Sequence, residues 1–162
     1  MNDLPKRKQN RLNHYDYSQN GAYFITICTK NKACIFGTIV GEDIILPPKM
    51  ELSQYGVIVK NAIDSIPKIY INISVDKYVI MPNHVHIMIR ICNADGRMIS
   101  SPTIQTVIGQ MKRHVSKQIG KPIWQKSFYD HIIRDDEDYL TKYQYIEDNP
   151  AKWLDDELYI KS

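Results

Sequence analysis

Residues 70–91 read YINISVDKYVIMPNHVHIMIRI. Two runs rich in β-branched and aromatic residues, Tyr70–Met81 and His84–Ile91, flank the pair Pro82-Asn83. Proline cannot donate to a strand ladder, and asparagine suits a turn, so the stretch reads as two strands broken at that pair. Side chains alternate across a strand, which places His84 and His86 on one face and Val85 and Ile87 on the other. The chain has only five histidines, and two of them are separated here by a single residue. Two imidazoles one strand repeat apart can hold one divalent metal. A pair of half-exposed strand histidines is the plainer alternative, and His-x-His alone is a weak signal.

Upstream, AYFITICTK (22–30) reads as a strand. ACIFGTIV and DIILP follow as a hairpin around GED. Tyr55, Val57, Ile58, Val59, Ala62 and Ile66 recur at helical spacing; with Ser53 as cap they predict a helix over 54–66 that Pro67 stops. After the polar loop ADGRMISSP, Ile104, Val107, Ile108, Met111 and Val115 predict a second helix over 103–119, ended by Gly120. IWQKSFYDHIIR divides between strand and loop. A third helix is expected from about Asp135 to Asn149, ahead of Pro150. The order βββαββα(β)α lacks the regular alternation of a parallel sheet. It predicts an α+β fold: an antiparallel sheet with helices packed mainly on one face.

The chain's 162 residues fit one domain, with residues 1–20 as a basic N-terminal arm. Apolar residues make up 43% and charged ones 24%, which suits a core held without disulfides. No apolar run is long enough to cross a bilayer, and the polar N-terminus lacks the apolar region of a signal peptide, so the expected compartment is the cytoplasm. Cys28, Cys34 and Cys92 form no CxxC pair and are expected to be reduced. The net charge of +3 is modest, but Lys6, Arg7, Lys8 and Arg11 form one basic cluster, and Lys112, Arg113, His114, Lys117 and Lys121 another. Such clusters can neutralise phosphates, or simply form a solvated face.

The third helix carries an apolar stripe of Tyr139, Leu140, Tyr143 and Ile146. Tyr145 lies off that stripe, and Asn149, four residues on, shares its face. An ordinary surface tyrosine is the plain reading. Combined with the histidine pair, the helix acquires a chemistry. An amide oxygen can add a third metal ligand, and a tyrosine hydroxyl can attack a phosphate to form a covalent ester. Exchanging one phosphate ester for another needs no nucleotide triphosphate, and no GxxxxGK[ST] loop is present.

The stretches YDYSQNGAYFITICTKNKACIFG, YVIMPNHVHIMI and IWQKSFYDHIIRDDEDYLTKYQYIEDNPAKW, in this order and over most of the chain, resemble the HUH-type single-tyrosine transposases, in particular the REP-associated tyrosine transposase-like branch. The resemblance implies a ferredoxin-like or RRM-like antiparallel sheet with the two histidines on a central strand. It implies that His84, His86 and Asn149 ligate a divalent metal, Mg or Mn, and that Tyr145 is the nucleophile. It further implies cleavage and rejoining of single-stranded DNA near hairpins through a 5′-phosphotyrosine. Tyr129, Tyr139 and Tyr143 are rival nucleophiles by chemistry alone. Lys112, Arg113 and Lys117 are candidates for hairpin phosphates, and Trp124, with Phe128, for base stacking or core packing. His131 matches a family motif and is read as structural or DNA-contacting. Some family members act as homodimers and others as monomers. A non-catalytic module that binds hairpin DNA or RNA, and a metal-dependent hydrolase using water, are the competing functions.

Overall fold

A computed structural model describes residues 14–17, 19–41, 46–93 and 102–160. The quoted stretch forms two antiparallel strands, β4 (Ile73–Met81) and β5 (His84–Ile91), joined through Pro82-Asn83 with Met81 opposite His84. β5 also pairs antiparallel with β1 (Gly21–Cys28), which pairs in turn with β6 (Tyr129–Ile133). The resulting four-stranded sheet has the order β4-β5-β1-β6 and is antiparallel throughout.

The two faces of this sheet differ in chemistry. Tyr23, Ile25 and Ile27 of β1 and Val85, Ile87, Ile89 and Ile91 of β5 point to one face. There they meet α1 (Gln54–Ile69) and α2 (Ile104–Ile119) in the main core. The opposite face carries Phe24, Thr26, His84, His86 and Met88. It receives α3 (Asp136–Asp148), whose Ile146 is buried against Phe24 and Met88. Two helices on the apolar face and one over the histidines make the expected α+β architecture.

Helix boundaries follow from side-chain chemistry. Ser53 caps α1: its hydroxyl accepts from Gly56 N at 3.2 Å and donates to Ile35 O at 2.6 Å. Thr103 caps α2, and Gly120 ends it with φ at 86°, a conformation that favours glycine. Asp135 caps α3 through the Asp138 amide at 2.8 Å. Pro67 does not stop α1, contrary to expectation; it lies inside the helix, which runs to Ile69. It sits in the last turn; its ring costs the helix the hydrogen bond its own N–H would make back to Ile63, and only Lys68 and Ile69 follow. In α3, Tyr139 and Tyr143 are half-buried as expected, but Leu140 is 65% exposed. The helix docks on a narrow face set by Tyr139, Tyr143 and Ile146, and Leu140 falls outside it.

A second, two-stranded sheet pairs β2 (Gly37–Val40) with β3 (Lys49–Leu52). The hairpin was expected from ACIFGTIV and DIILP. Its first strand begins only at Gly37 and its second lies further on, at KMEL. Residues 42–45, which hold most of DIILP, are outside the described residues, as are 1–13 and 18 of the basic arm and 94–101 of the polar loop. Gly56 lies so close to the chain ahead of β2 that a Cβ would be 2.2 Å from Phe36 O. Gly56→Ala must therefore push α1 away from the chain at Phe36, and is expected to destabilise by about 1–3 kcal/mol in urea titration. No helix among the described residues is long and apolar enough to cross a membrane.

A β-bulge helps to fix α3. The register of β4 slips between Val75 and Lys77, leaving Asp76 as the extra residue. Its carboxylate accepts from Arg90 Nε at 3.0 Å and from the Tyr139 hydroxyl at 3.0 Å. Lys77 pairs with Glu147 on the same helix. Polar ties to the bulged strand thus supplement the small apolar contact under α3.

Candidate active site

His84 and His86 are buried, at 0% and 3% exposure, and their ring centroids lie 4.6 Å apart. Each ring is held through Nδ1: His84 by Asn83 Oδ1 at 2.8 Å, His86 by Thr26 Oγ1 at 2.8 Å across the ladder. Both Nε2 atoms are buried with no hydrogen-bond partner, and so is Asn149 Oδ1. Burial drives the His84 pKa down to about 4, opposed by the Asp156 carboxylate and the Asn149 amide. Burial also holds His86 well below its ordinary value, helped by the charges of His84 and Lys142. Both rings are neutral at pH 7, the form that ligates metals.

Asn149 is the C-cap of α3, and its amide nitrogen donates to Tyr145 O at 3.4 Å, leaving the oxygen free. Asp156 follows a short 3-10 turn, Trp153–Asp155. One of its carboxylate oxygens lies 3.7 Å from His84 Nε2, and ligand atoms of His84, His86 and Asp156 all fall within 4.8 Å of one another. The other oxygen accepts from Leu158 N at 2.7 Å. Unpartnered buried nitrogens beside a carboxylate are costly unless a cation or water satisfies them. Two imidazoles, one carboxylate and one amide oxygen form a donor set that fits a divalent metal.

Tyr145 is 44% exposed, and its ring stands edge-on to His86 at 5.2 Å and to Phe24 at 5.9 Å. Partial burial raises its pKa, while the Asn149 amide favours the phenolate. Lys142, one turn earlier on α3, lies over the Phe24 ring at 5.0 Å. Phe24 in turn stacks on His86 at 5.1 Å. A metal-ligand cluster, a tyrosine hydroxyl and a cation therefore share one side of the sheet within one chain.

The structure brings His84, His86, Asn149 and Tyr145 together. The other singled-out residues lie elsewhere. Lys112 turns its ammonium inward, to Gln125 O at 2.7 Å and Ser127 O at 3.2 Å. Trp124 is buried, donates to Lys112 O at 3.1 Å, and packs on Phe36. Arg113 and Lys117 are exposed on α2, whose core face packs on the sheet side away from the histidines. His131 pairs with Asp138 of α3 at 2.7 Å. Phe128 is buried in the main core, and Tyr129 is 52% exposed. Asp156 was missed in the sequence. It stands in a run of Asp155, Asp156 and Glu157, and spacing cannot tell which acid turns inward.

These titrations have a consequence for stability. An unfolded His84 takes up a proton near 6.5, whereas the folded, metal-free one does not until about 4. The folded state is therefore favoured fully above about 6.5, and this contribution is lost as the pH falls towards about 4. Urea midpoints of the metal-free protein should drop between pH 7 and pH 4.5, and His84→Gln should flatten that slope.

No family model matches the chain. A protein of Haemophilus influenzae of uncharacterised function is 37% identical over 174 residues, spanning 95% of this chain and 93% of that protein. A candidate REP-associated tyrosine transposase of the same organism is 30% identical over 82 residues, 45% of this chain and 47% of its own. Among solved structures, a REP-associated tyrosine transposase bound to a REP hairpin superposes with a TM-score of 0.63 at 20% identity, covering 88% of this chain and 74% of that one. The chain thus belongs to one family with the first Haemophilus influenzae protein, and it has the fold of the REP-associated tyrosine transposases, the HUH-type group that its sequence resembles.

Proposed function

We propose that the protein is a metal-dependent transposase-type nuclease that cleaves and rejoins single-stranded DNA near hairpins through a phosphotyrosine at Tyr145. The observation that carries this reading is the convergence of ligand atoms of His84, His86 and Asp156 within 4.8 Å of one another beside an accessible tyrosine, with both Nε2 atoms and Asn149 Oδ1 buried and unpartnered. With Asp156, these residues would hold the cation. A bound divalent ion supplies Lewis-acid polarisation of a phosphoryl oxygen. Mixed imidazole and oxygen donors suit Mn²⁺ better than Mg²⁺, which prefers oxygen alone.

In the proposed step the Tyr145 oxygen attacks the scissile phosphorus. The P–O3′ bond breaks, the phenolic proton passes to water, and the departing 3′ oxygen is protonated. The products are a 5′-phosphotyrosyl link and a free 3′-OH. Attack of a 3′-OH on that link reverses the exchange and rejoins DNA without a high-energy cofactor. Because burial raises the Tyr145 pKa, the hydroxyl is protonated at rest, and the Asn149 amide helps to stabilise it as the proton leaves. Lys142 offers a positive charge to the phosphate on the same face. The tyrosine and all four ligands belong to one chain. The solved structure with this fold holds a REP hairpin, which makes hairpin DNA the first substrate to try.

The test is a hairpin oligonucleotide with single-stranded flanks, taken from DNA beside the gene, incubated with the protein and Mn²⁺. On a denaturing gel this reading gives a covalent protein–DNA band. Cleavage with 5′-phosphate products and no such band favours a water-using hydrolase instead. Tight binding with no cleavage under either metal favours a non-catalytic hairpin module.

A further inference from the structure

Asn83 sits in the turn between β4 and β5, is 1% exposed, and has every side-chain polar atom engaged. Its backbone oxygen accepts from Thr29 N at 2.9 Å and Thr29 Oγ1 at 3.0 Å, which fixes the residue in place. Its carboxamide lies among three groups: Lys32 O at 3.3 Å, Leu158 O at 2.7 Å and His84 Nδ1 at 2.8 Å. Two of these are carbonyl oxygens, which only accept, so the amide nitrogen must face them. The amide oxygen then faces His84, and because it can only accept, Nδ1 of His84 must carry the proton. A neutral imidazole protonated at Nδ1 keeps its lone pair on Nε2, the buried atom that faces Asp156.

The same side chain reaches the second candidate donor. Leu158, whose carbonyl Asn83 holds, donates its own N–H to Asp156 Oδ1 at 2.7 Å. One amide therefore touches two ligands far apart in the sequence, His84 directly and Asp156 through Leu158.

We propose that Asn83 is a positioning residue of the metal site, setting the His84 tautomer with its oxygen and tethering the segment that carries Asp156 with its nitrogen. This rests on the reading that these residues hold a divalent cation, and not on any reaction with DNA. The two tasks can be separated. An aspartate at position 83 would still accept from His84 Nδ1, but would present an oxygen to the carbonyls of Lys32 and Leu158, and so would release the tether.

The first measurement is a long-range ¹H–¹⁵N correlation spectrum of the metal-free, histidine-labelled protein, which needs no variant. It should show His84 protonated at Nδ1; protonation at Nε2 overturns the proposal. The second is Co²⁺ titration followed by visible absorption, with thermal melts to confirm folding. Asn83→Ala should weaken Co²⁺ binding roughly 10–100-fold and mix the His84 tautomers, as loss of an outer hydrogen-bond partner does. Asn83→Asp should keep the tautomer. Asp156→Asn should weaken Co²⁺ binding in the wild-type background and leave it unchanged in the Asn83→Asp background. Equal effects of Asp156→Asn in both backgrounds, or an unaltered tautomer and affinity in Asn83→Ala, overturn the proposal. Should Co²⁺ and the tautomer behave as stated while hairpin DNA is never cut, the role of Asn83 stands and the proposed reaction fails.

Discussion

Tyr145→Phe is expected to bind hairpin DNA like the wild type and to cut it at least about 10³-fold more slowly, with no covalent product, because the variant lacks only the attacking oxygen. The phenyl ring can keep its edge contacts with His86 and Phe24, so the fold should be unchanged, and a thermal melt checks this. Tyr143 is the informative control. It is two residues away on the same helix, but its ring packs beside Tyr139 at 6.3 Å and under Lys77, away from the histidines. Tyr143→Phe should therefore leave cleavage within a few-fold of wild type. Cleavage that survives in Tyr145→Phe and is lost in Tyr143→Phe would move the nucleophile to the other tyrosine.

Removing the metal ligands should have the second largest effect. In the double variant His84→Ala with His86→Ala, two of the converging donors are gone. The remaining amide and carboxylate hold a cation poorly without them. A ligand that binds only the folded state stabilises it by about 2.7 kcal/mol at a hundred times its Kd. Mn²⁺ should therefore raise the melting temperature of the wild type and not that of the double variant. Cleavage should disappear with the metal response. Hairpin binding, measured by fluorescence anisotropy, should largely survive, since backbone phosphates are gripped by basic groups and not by the buried histidines. Parallel loss of binding would instead tie these residues to DNA contact.

The sequence was informative wherever one element's own periodicity decides the outcome. Strand alternation placed His84 and His86 together and set them against Val85 and Ile87, as the β1–β5 register requires. Helix periodicity separated Tyr145 and Asn149 from Tyr139, Tyr143 and Ile146. Reading failed where tertiary packing decides. Leu140 fits the apolar pattern, yet the sheet offers α3 too narrow a face to cover it. Pro67 signals a stop, yet the helix runs three residues past Ile66, to Ile69. Lys112 reads as a phosphate-binding cation on a basic stretch, yet two carbonyls hold its ammonium. Asp156 and Asn83 gain their significance from partners far away in the chain, Asp156 beside His84 and Asn83 hydrogen-bonded to Leu158. No local spacing rule joins such residues.

The proposed intermediate is one covalent bond, and peptide mass spectrometry reads it directly. The protein is incubated with Mn²⁺ and a hairpin oligonucleotide, the DNA is digested by nuclease, and tryptic peptides covering residues 143–152 are fragmented. A residual 5′-phosphonucleotide is expected on the oxygen of Tyr145. Cleaved DNA carrying a free 5′-phosphate with no modified peptide, or the nucleotide on Tyr143, would contradict it.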